Sequence, residues 1–275
     1  MQLAQDFAID RDAPVLPRAC GRLRVASKRR SEVSCLDRLY SAGVRRSSTP
    51  SDAVEAIIVN TSGGLTGGDR FEIDAEAGAG SQLVMTTQAA ERAYRSTTGS
   101  ARMRTRLRVG PGATLHWLPQ EMLVFDGSAL DRRLEVDLDD TGVLIAVEPV
   151  VFGRTAMGET VARADFLDLV RIRRGNTVWY ADRVALTGDI TARLNQMATT
   201  GGLTAMASAL YVGPRAQSIL PVIRGLLPDT GGASLVRPDT IAVRLLARDG
   251  FTLRATLCPL LEALSEATLP RSWRL

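Results

Sequence analysis

The chain of 275 residues is expected to be mainly β: a single β-rich domain of many short strands with a small helical insertion late in the sequence. Three observations predict this. Along most of the chain, segments alternate apolar and polar residues with period two, most cleanly at Ala101–Val109. Glycine, proline, asparagine and aspartate separate those segments at fairly even spacing, the pattern of an all-β architecture. Helical spacing is confined to about residues 190–228, and strand signals resume after it, so one continuous domain over residues 1–275 is expected rather than two.

Residues 1–18, with Pro14 and Pro17, read as an irregular lead-in. Short alternating pieces follow at Gly21–Val25 and Glu32–Tyr40, and the basic cluster Lys28, Arg29, Arg30 between them reads as a solvated loop. Residues 41–52, with Gly43, Pro50 and several serines, read as another loop. Ala53–Val59 is a short apolar run, and Phe71–Ala77 sets Phe71, Ile73, Ala75 and Ala77 against Glu72, Asp74 and Glu76. Between these two strands lies NTSGGLTGGDR, Asn60–Arg70. Its glycines at 63, 64, 67 and 68 imply a tight, sharply shaped strand-to-strand connection rather than a tether. Gln82–Thr87 is a further strand; Gln88–Arg95 fits either a helical turn or a bent strand.

Ala101–Val109 places Arg102, Arg104, Arg106 and Arg108 on one face. Successive charges lie roughly 6.6 Å apart on a strand and repel by about 0.6 kcal/mol per neighbour in water. Two acidic strands, Glu72/Asp74/Glu76 and Glu135/Asp137/Asp139, can supply cross-strand pairs worth ~0.2–1 kcal/mol each. A salt-bridged or solvated sheet face is therefore favoured over a polyanion site. Strand signals continue through Thr114–Trp117, Arg133–Asp139, Gly142–Val147, Phe166–Arg173 and Thr177–Leu186. After about residue 189, Leu203, Met206, Ala207, Leu210 and Tyr211 follow helical spacing, as do Ala216, Ile219, Leu220, Ile223, Leu226 and Leu227. Thr240–Ala247 and Phe251–Leu257 read as strands and Pro259–Ala267 as a short helix; no internal repeat is visible.

The formal charge of +4 arises almost wholly from arginine, since Lys28 is the only lysine, and it gives weak support for a nucleic-acid partner. Cys20, Cys35 and Cys258 are odd in number and scattered, which suggests a reducing cytosol and neither a disulfide framework nor a zinc knuckle. No apolar run approaches the ~18 residues of a membrane span, so a cytoplasmic chain with no membrane partner is expected. The glycine segment has no Gly-Lys-Ser/Thr and is followed by a strand where a phosphate loop needs a helix N-terminus. No G-x-S-x-G is present, and His116, the only imidazole, reads as a packed or interface histidine. One histidine and three scattered cysteines make no tight metal site, which leaves the carboxylates of Asp69, Glu148 and Glu159 as candidates for transient metal contacts. These exclusions leave an interaction protein.

Five blocks then stand out. They are SGGLTGGDR at 62–70 (Gly63, Gly64, Gly67, Gly68, Asp69), TTQAAERAYRS at 86–96 (Arg92, Tyr94), LPQEMLVFDGS at 118–128 (Pro119, Gln120), FGRTAMGE at 152–159 (Gly153, Arg154, Gly158, Glu159) and PRSWR at 270–274. In this order and spacing the chain resembles the UreD family of urease accessory proteins, also called UreH. The family usually carries a lysine before the tyrosine of the second block; here Arg92 keeps the charge two positions before Tyr94. The resemblance implies a non-enzymatic cytoplasmic scaffold of mostly β fold that binds apo-urease and recruits a helical accessory protein of the UreF type and a GTPase of the UreG type. It also implies that nickel reaches urease by an internal, water-filled route lined partly by acids, with no tightly bound cofactor and no nucleic-acid partner. Oxygen ligands suit such a conduit because they release nickel more readily than imidazole or thiolate. The late helices and the C-terminal Arg271, Trp273 and Arg274 are the expected partner surfaces, Trp273 as an anchor between two arginines unless the tail packs on its own domain. The competing class is a stand-alone enzyme or anion-binding β protein built on the GGLTGGD loop.

Overall fold

In a computed structural model the residues described are 18–42, 44–47, 53–154 and 158–274. The irregular lead-in expected at residues 1–18 lies outside them except for Arg18, as does half of the loop expected at 41–52; the described residues of that stretch, 41, 42 and 44–47, are strand and not loop. The chain is mainly β, as the alternating pattern predicts, and its strands form two facing sheets. The first orders β14 (Thr177–Gly188), β13 (Ala164–Arg174), β11 (Ala129–Leu138), β8 (Ala101–Val109), β5 (Arg70–Ala77), β1 (Cys20–Arg30) and β2 (Val33–Ala42). In the second, the order is β16 (Gly231–Arg237), β17 (Thr240–Ala247), β15 (Ala205–Val212), β12 (Val143–Phe152), β9 (Thr114–Leu118), β6 (Gln82–Thr87), β4 (Val54–Asn60) and β3 (Val44–Ser47). Two short strands, β7 (Glu91–Ala93) and β10 (Met122–Val124), pair beside β12.

The chain shuttles between the sheets. Each of β4, β6, β9 and β12 in one sheet is followed by β5, β8, β11 and β13 in the other, and both sets run parallel to their neighbours. The result is a flattened coil whose turns begin at Val54, Gln82, Thr114 and Val143, roughly 30 residues apart. That repeat escapes the sequence pattern because one end of each coil varies in length. At the other end the connections are uniform four-residue turns, closed by Ser81 N–H to Gly78 O, Ala113 N–H to Gly110 O and Gly142 N–H to Asp139 O.

Side-chain alternation now has a physical reason. On the first sheet, Phe71, Ile73 and Ala75, Leu107 and Val109, and Leu134 and Val136 face inward into one core. The arginines of β8 face outward between the acids of β5 and β11. Register sets Glu72, Arg104 and Arg133 in one row, and Asp74, Arg106 and Glu135 in the next. Arg22 bonds Glu72 at 2.7 Å, Arg106 bonds Asp74 at 3.1 Å and Arg104 grips Asp131 at 2.8 Å, so the face is salt-bridged as the charge pattern suggests.

Four further readings of the sequence are corrected. Leu203–Tyr211 is not helical: β15 runs through it, buried on both faces between β12 and β17, which erases period two. The expected helical insertion at about 190–228 therefore reduces to the short α1 (Ile190–Leu194) and α2 (Ala216–Leu226). Phe251–Leu257 is not a strand but the first half of α3 (Gly250–Ser265), whose N-cap Asp249 accepts from Thr252 N at 2.7 Å. Lys28, Arg29 and Arg30 end strand β1 instead of forming a loop. Both α2 and α3 cover the outer face of the second sheet, through Ile219, Ile223, Leu253, Leu257 and Leu261. No helix among the described residues is long and apolar enough to cross a membrane.

Candidate functional site: the loop end and the cavity behind it

The long connections of the coil, residues 61–69, 88–100, 119–128 and 153–163, gather at one end of the sheets, and four of the five sequence blocks lie in them. They interlock closely. Leu65 pairs with Ala93 and Arg95 with Ser128 as isolated bridges, while Leu65 N–H donates to Arg92 O at 2.7 Å. A side chain at Gly64 would place its Cβ 2.3 Å from the Tyr94 ring, and at Gly67 2.6 Å from Gly99 O. The glycines are needed because neighbouring chain already fills the space.

The same geometry weighs against the anion-cradle reading of this loop. Four of its backbone donors are used internally: Leu65 by Arg92 O, Thr66 by the Asp69 carboxylate, Gly68 by Ser100 O and Asp69 by Thr66 O. Asp69 itself is buried, accepting from Ala19 N and Thr66 N, both at 2.8 Å. It is a loop staple. Glu159 accepts from Asp126 N–H and from Arg154, whose guanidinium also lies 4.6 Å over the Phe125 ring. Arg154 and that bond hold the Glu159 carboxyl below its usual range.

Behind these loops, between the sheets, lies a cavity of about 220 Å³. Asn60, Gly63, Glu91 and Arg92 line it toward the loops; Met103, Thr105, Trp117 and Met122 line its walls, with Arg132 and Glu148 deepest among the charged groups. That volume holds several waters. Arg132 sits on the inward face of β11, directly in register with Asp168 on β13, and bonds it through two nitrogens at 3.0 and 2.7 Å. Across the gap, Glu148 of β12 reaches Arg132 at 2.6 Å and accepts from Trp117 Nε1 at 2.8 Å. One buried guanidinium thus joins two sheets through two carboxylates. Burial pushes the Glu148 carboxyl up to about 7; Arg132 opposes the rise and Asp168 adds to it. Burial opposes the Arg132 charge, but the two carboxylates outweigh it and raise its pKa. Glu91 is also pushed up by burial, against bonds from Arg92 N–H and Asn60.

The fifth block reaches the cavity wall from behind. Trp273 is buried, not on a surface, and donates from Nε1 to Leu118 O at 3.0 Å, so its tail packs on its own domain and the anchor reading is corrected. Arg254 of α3 lies over its ring and forks onto Glu121 at 3.0 and 2.7 Å and onto Gln120 at 2.8 Å. Gln120 in turn donates to Thr87 O and Gln88 O on the cavity wall. Arg271 and Arg274 remain exposed. His116 lies instead in a groove on the outer face of the second sheet, its pKa pushed down to about 4 by burial.

Of the three candidate metal-contacting acids, only Glu148 lines the cavity; Asp69 and Glu159 are spent on loop structure, and the geometry does not bring the three together. Among the described residues no group of three or more His, Cys, Asp or Glu can hold a metal ion. Sequence reasoning missed Glu91, Glu121, Arg132, Asp168 and Arg254. Arg132 carried one readable signal, a charge at an inward position of an alternating strand.

A family model described as UreD urease accessory protein matches residues 19–274. Proteins called urease accessory protein UreD are similar over nearly full length. The relative from Roseobacter denitrificans is 44% identical across 94% of this chain and 96% of its own, and that from Agrobacterium fabrum is 44% identical across 94% and 92%. A third, from Chelativorans, is 43% identical over 99% of both chains.

Proposed function

This chain belongs to the family of UreD urease accessory proteins, and from that premise we propose that it is a maturation scaffold with an internal passage for nickel. Family membership implies a role in urease maturation. In the proposed reading the chain acts in the cytoplasm without chemistry of its own, binds apo-urease, and recruits a helical accessory protein of the UreF type and a GTPase of the UreG type. Nickel is cargo, held in transit and passed on.

One observation carries the passage: the cavity between the sheets presents oxygen donors, Glu91, Glu148, Gln120, Asn60 and Thr87, and neither an imidazole nor a thiolate. Such a set attracts a divalent cation without trapping it. Glu148 and Glu91 are both shifted toward the neutral form by burial, so a cation bound there competes with a proton and is held less tightly. In the glycine loop the N–H groups of Leu65, Thr66, Gly68 and Asp69 are already bonded internally, which disfavours the competing anion-binding reading.

The test compares wild type with Glu148→Gln, Glu91→Gln and the double variant, in cells or reconstituted with urease and both accessory proteins. Complex formation is expected to persist while nickel per urease and urease activity fall several-fold, most in the double variant. Full nickel content in the double variant would remove the passage from the proposal and leave the scaffold.

A further inference from the structure

Charge on the outer face of the first sheet changes character at the loop end. Further along the strands the arginines are compensated: Arg22, Arg24, Arg104 and Arg106 are each paired to an acid, and although Arg104 stands opposite Arg133, both are held by Asp131. In the row beside the glycine loop, Arg70 of β5 stands directly opposite Arg102 of β8. Like charges directly opposite each other destabilise a sheet. The next residue in that row, Asp131, is already held by Arg104 and Arg133. Neither Arg70 nor Arg102 has an ion-pair partner among the described residues, and the same holds for exposed Arg92 and Arg163 on the adjoining loops. Two acids of the adjoining loops, Asp126 and Glu159, are used by Arg95 and Arg154.

An aromatic feature accompanies the charge. Tyr94 is 42% exposed, seated on Gly64 and edge-on to Phe125 at 5.4 Å. Half-exposed tyrosine amid arginine is the composition of a protein-binding hot spot. Its ring is packed on one side and edge-on to Phe125, and the arginines are confined to one end instead of tracking a groove, which favours a folded protein over a nucleic-acid strand. Position adds the last element. Arg92 and Gly63 line the outer part of the cavity, so whatever docks on this end covers the cavity's mouth.

We propose that the loop end is the docking face for a folded partner presenting an acidic surface, and that docking completes an entrance which is electrostatically unfavourable to cations until the partner arrives. The second half rests on the nickel passage proposed above. Uncompensated Arg70, Arg92, Arg102 and Arg163 set up a positive potential at the mouth, and a low-dielectric wall focuses it. A divalent cation approaching the free chain is repelled. An acidic partner cancels that field, supplies carboxylates at the mouth and lets the Glu91 and Glu148 oxygens be reached. The device keeps a free scaffold from loading metal with nowhere to pass it.

The experiment measures binding of full-length chain to three separate probes, purified apo-urease, the UreF-type protein and the UreG-type GTPase, from low to high salt. At least one is expected to bind in a strongly salt-dependent way. Arg92→Glu with Arg102→Glu should weaken that complex by about tenfold or more, with the Gln versions intermediate, as a charge effect requires. Arg183→Glu, at an exposed arginine of the far edge strand β14 with no ion pair among the described residues, should change it less than about twofold. These side chains carry no ion pair among the described residues, so circular dichroism and melting temperature should stay near wild type. Wild-type affinity of the Glu variants for all three probes would overturn the docking face, as would preferential binding of a single-stranded oligonucleotide. If those variants bind normally while the cavity variants lose nickel, the docking face falls and the passage stands. If they lose binding while Glu91→Gln with Glu148→Gln still delivers full nickel, docking stands and the passage falls. A wild-type chain that binds none of the probes overturns both.

Discussion

The two ends of the coil are made of the same strands yet are built to different standards. At one end each coil closes in four residues, the turns stack by Gly80 N–H to Pro111 O and Thr114 N–H to Ser81 O, and the interior is sealed by Leu83, Val109, Leu115, Leu138 and Leu144. The opposite end spends several times as many residues per connection, places four sequence blocks there, and leaves the interior polar and partly empty. Closing the coil requires only the short turns. The extra chain, the buried ions and the cavity at the long-loop end therefore exist for something other than stability, and buried ion networks of this kind seldom add stability over well-packed apolar side chains.

Glycine substitutions give the largest contrast. Gly67→Val drives a side chain into Ser96, Gly99 and Thr98, with backbone oxygens within 2.7 Å. A loss of about 4 kcal/mol or more is expected, enough to leave much of a marginal domain unfolded, and complex assembly should go with it. At the other end Gly112 has φ +60° but open space around it. Gly112→Ala should cost only about 1–2 kcal/mol, the penalty of a left-handed backbone. Equal losses in urea denaturation would break the distinction between the ends.

Arg132 tests the interior. Arg132→Ala leaves Glu148 and Asp168 buried without their shared cation, and a destabilisation of about 3–5 kcal/mol is expected. At the sealed end, Leu138→Ala makes a cavity in an apolar site and should cost a comparable ~2–5 kcal/mol, with little change in its dependence on pH. The Arg132 loss, by contrast, should shrink as pH falls and Glu148 protonates.

How much of this was legible in the sequence follows from what each position faces. Strands with one wet face announce themselves: β5, β8 and β11 alternate because acids and arginines point to water while Phe71, Leu107 and Val136 point to the core. β15 has no wet face and was misread as helix from Met206, Ala207, Leu210 and Tyr211. In α3 the run Phe251, Leu253, Ala255, Leu257 imitates a strand, whereas the buried set Leu253, Leu257, Leu260, Leu261 and Leu264 has helical spacing. The blocks located the loop end, but not the cavity. Glu148 could be suspected from its neighbours in sequence; its partner Arg132 lies in another coil and Asp168 in the next, and no local pattern reports a pairing across sheets.

A smaller effect concerns pH. Glu148 titrates near 7 in the folded chain against about 4.5 for an ordinary carboxyl. Between those values the folded state binds more protons than the unfolded one, so this group's contribution is full below about 4.5 and is lost as pH rises through 7. Glu148→Gln should remove a fall on the order of 1–3 kcal/mol over that window, read from denaturation midpoints at pH 5 and pH 8. A wild-type curve already flat there would show that the Arg132 cation keeps Glu148 ionised.

The smallest effects lie on the charged outer face, and they grade between the two ends. Arg104, nearer the loop end, is half-buried and forked onto Asp131, with side-chain exposures of 23% and 17%. Arg106, one pleat further toward the short turns, meets Asp74 singly at 52% and 27% exposure. Exposed pairs contribute about 0–1 kcal/mol because water and salt screen them and long side chains must be held still. Arg104→Gln is accordingly expected to cost about 1 kcal/mol and Arg106→Gln about 0.5 kcal/mol or less, measured by urea denaturation at low salt. Both differences should contract in 1 M salt, Arg106→Gln to nothing measurable. If Arg106→Gln proves the costlier of the two, burial is not what grades the face, and the alternating rows act as one network whose middle matters more than its edge.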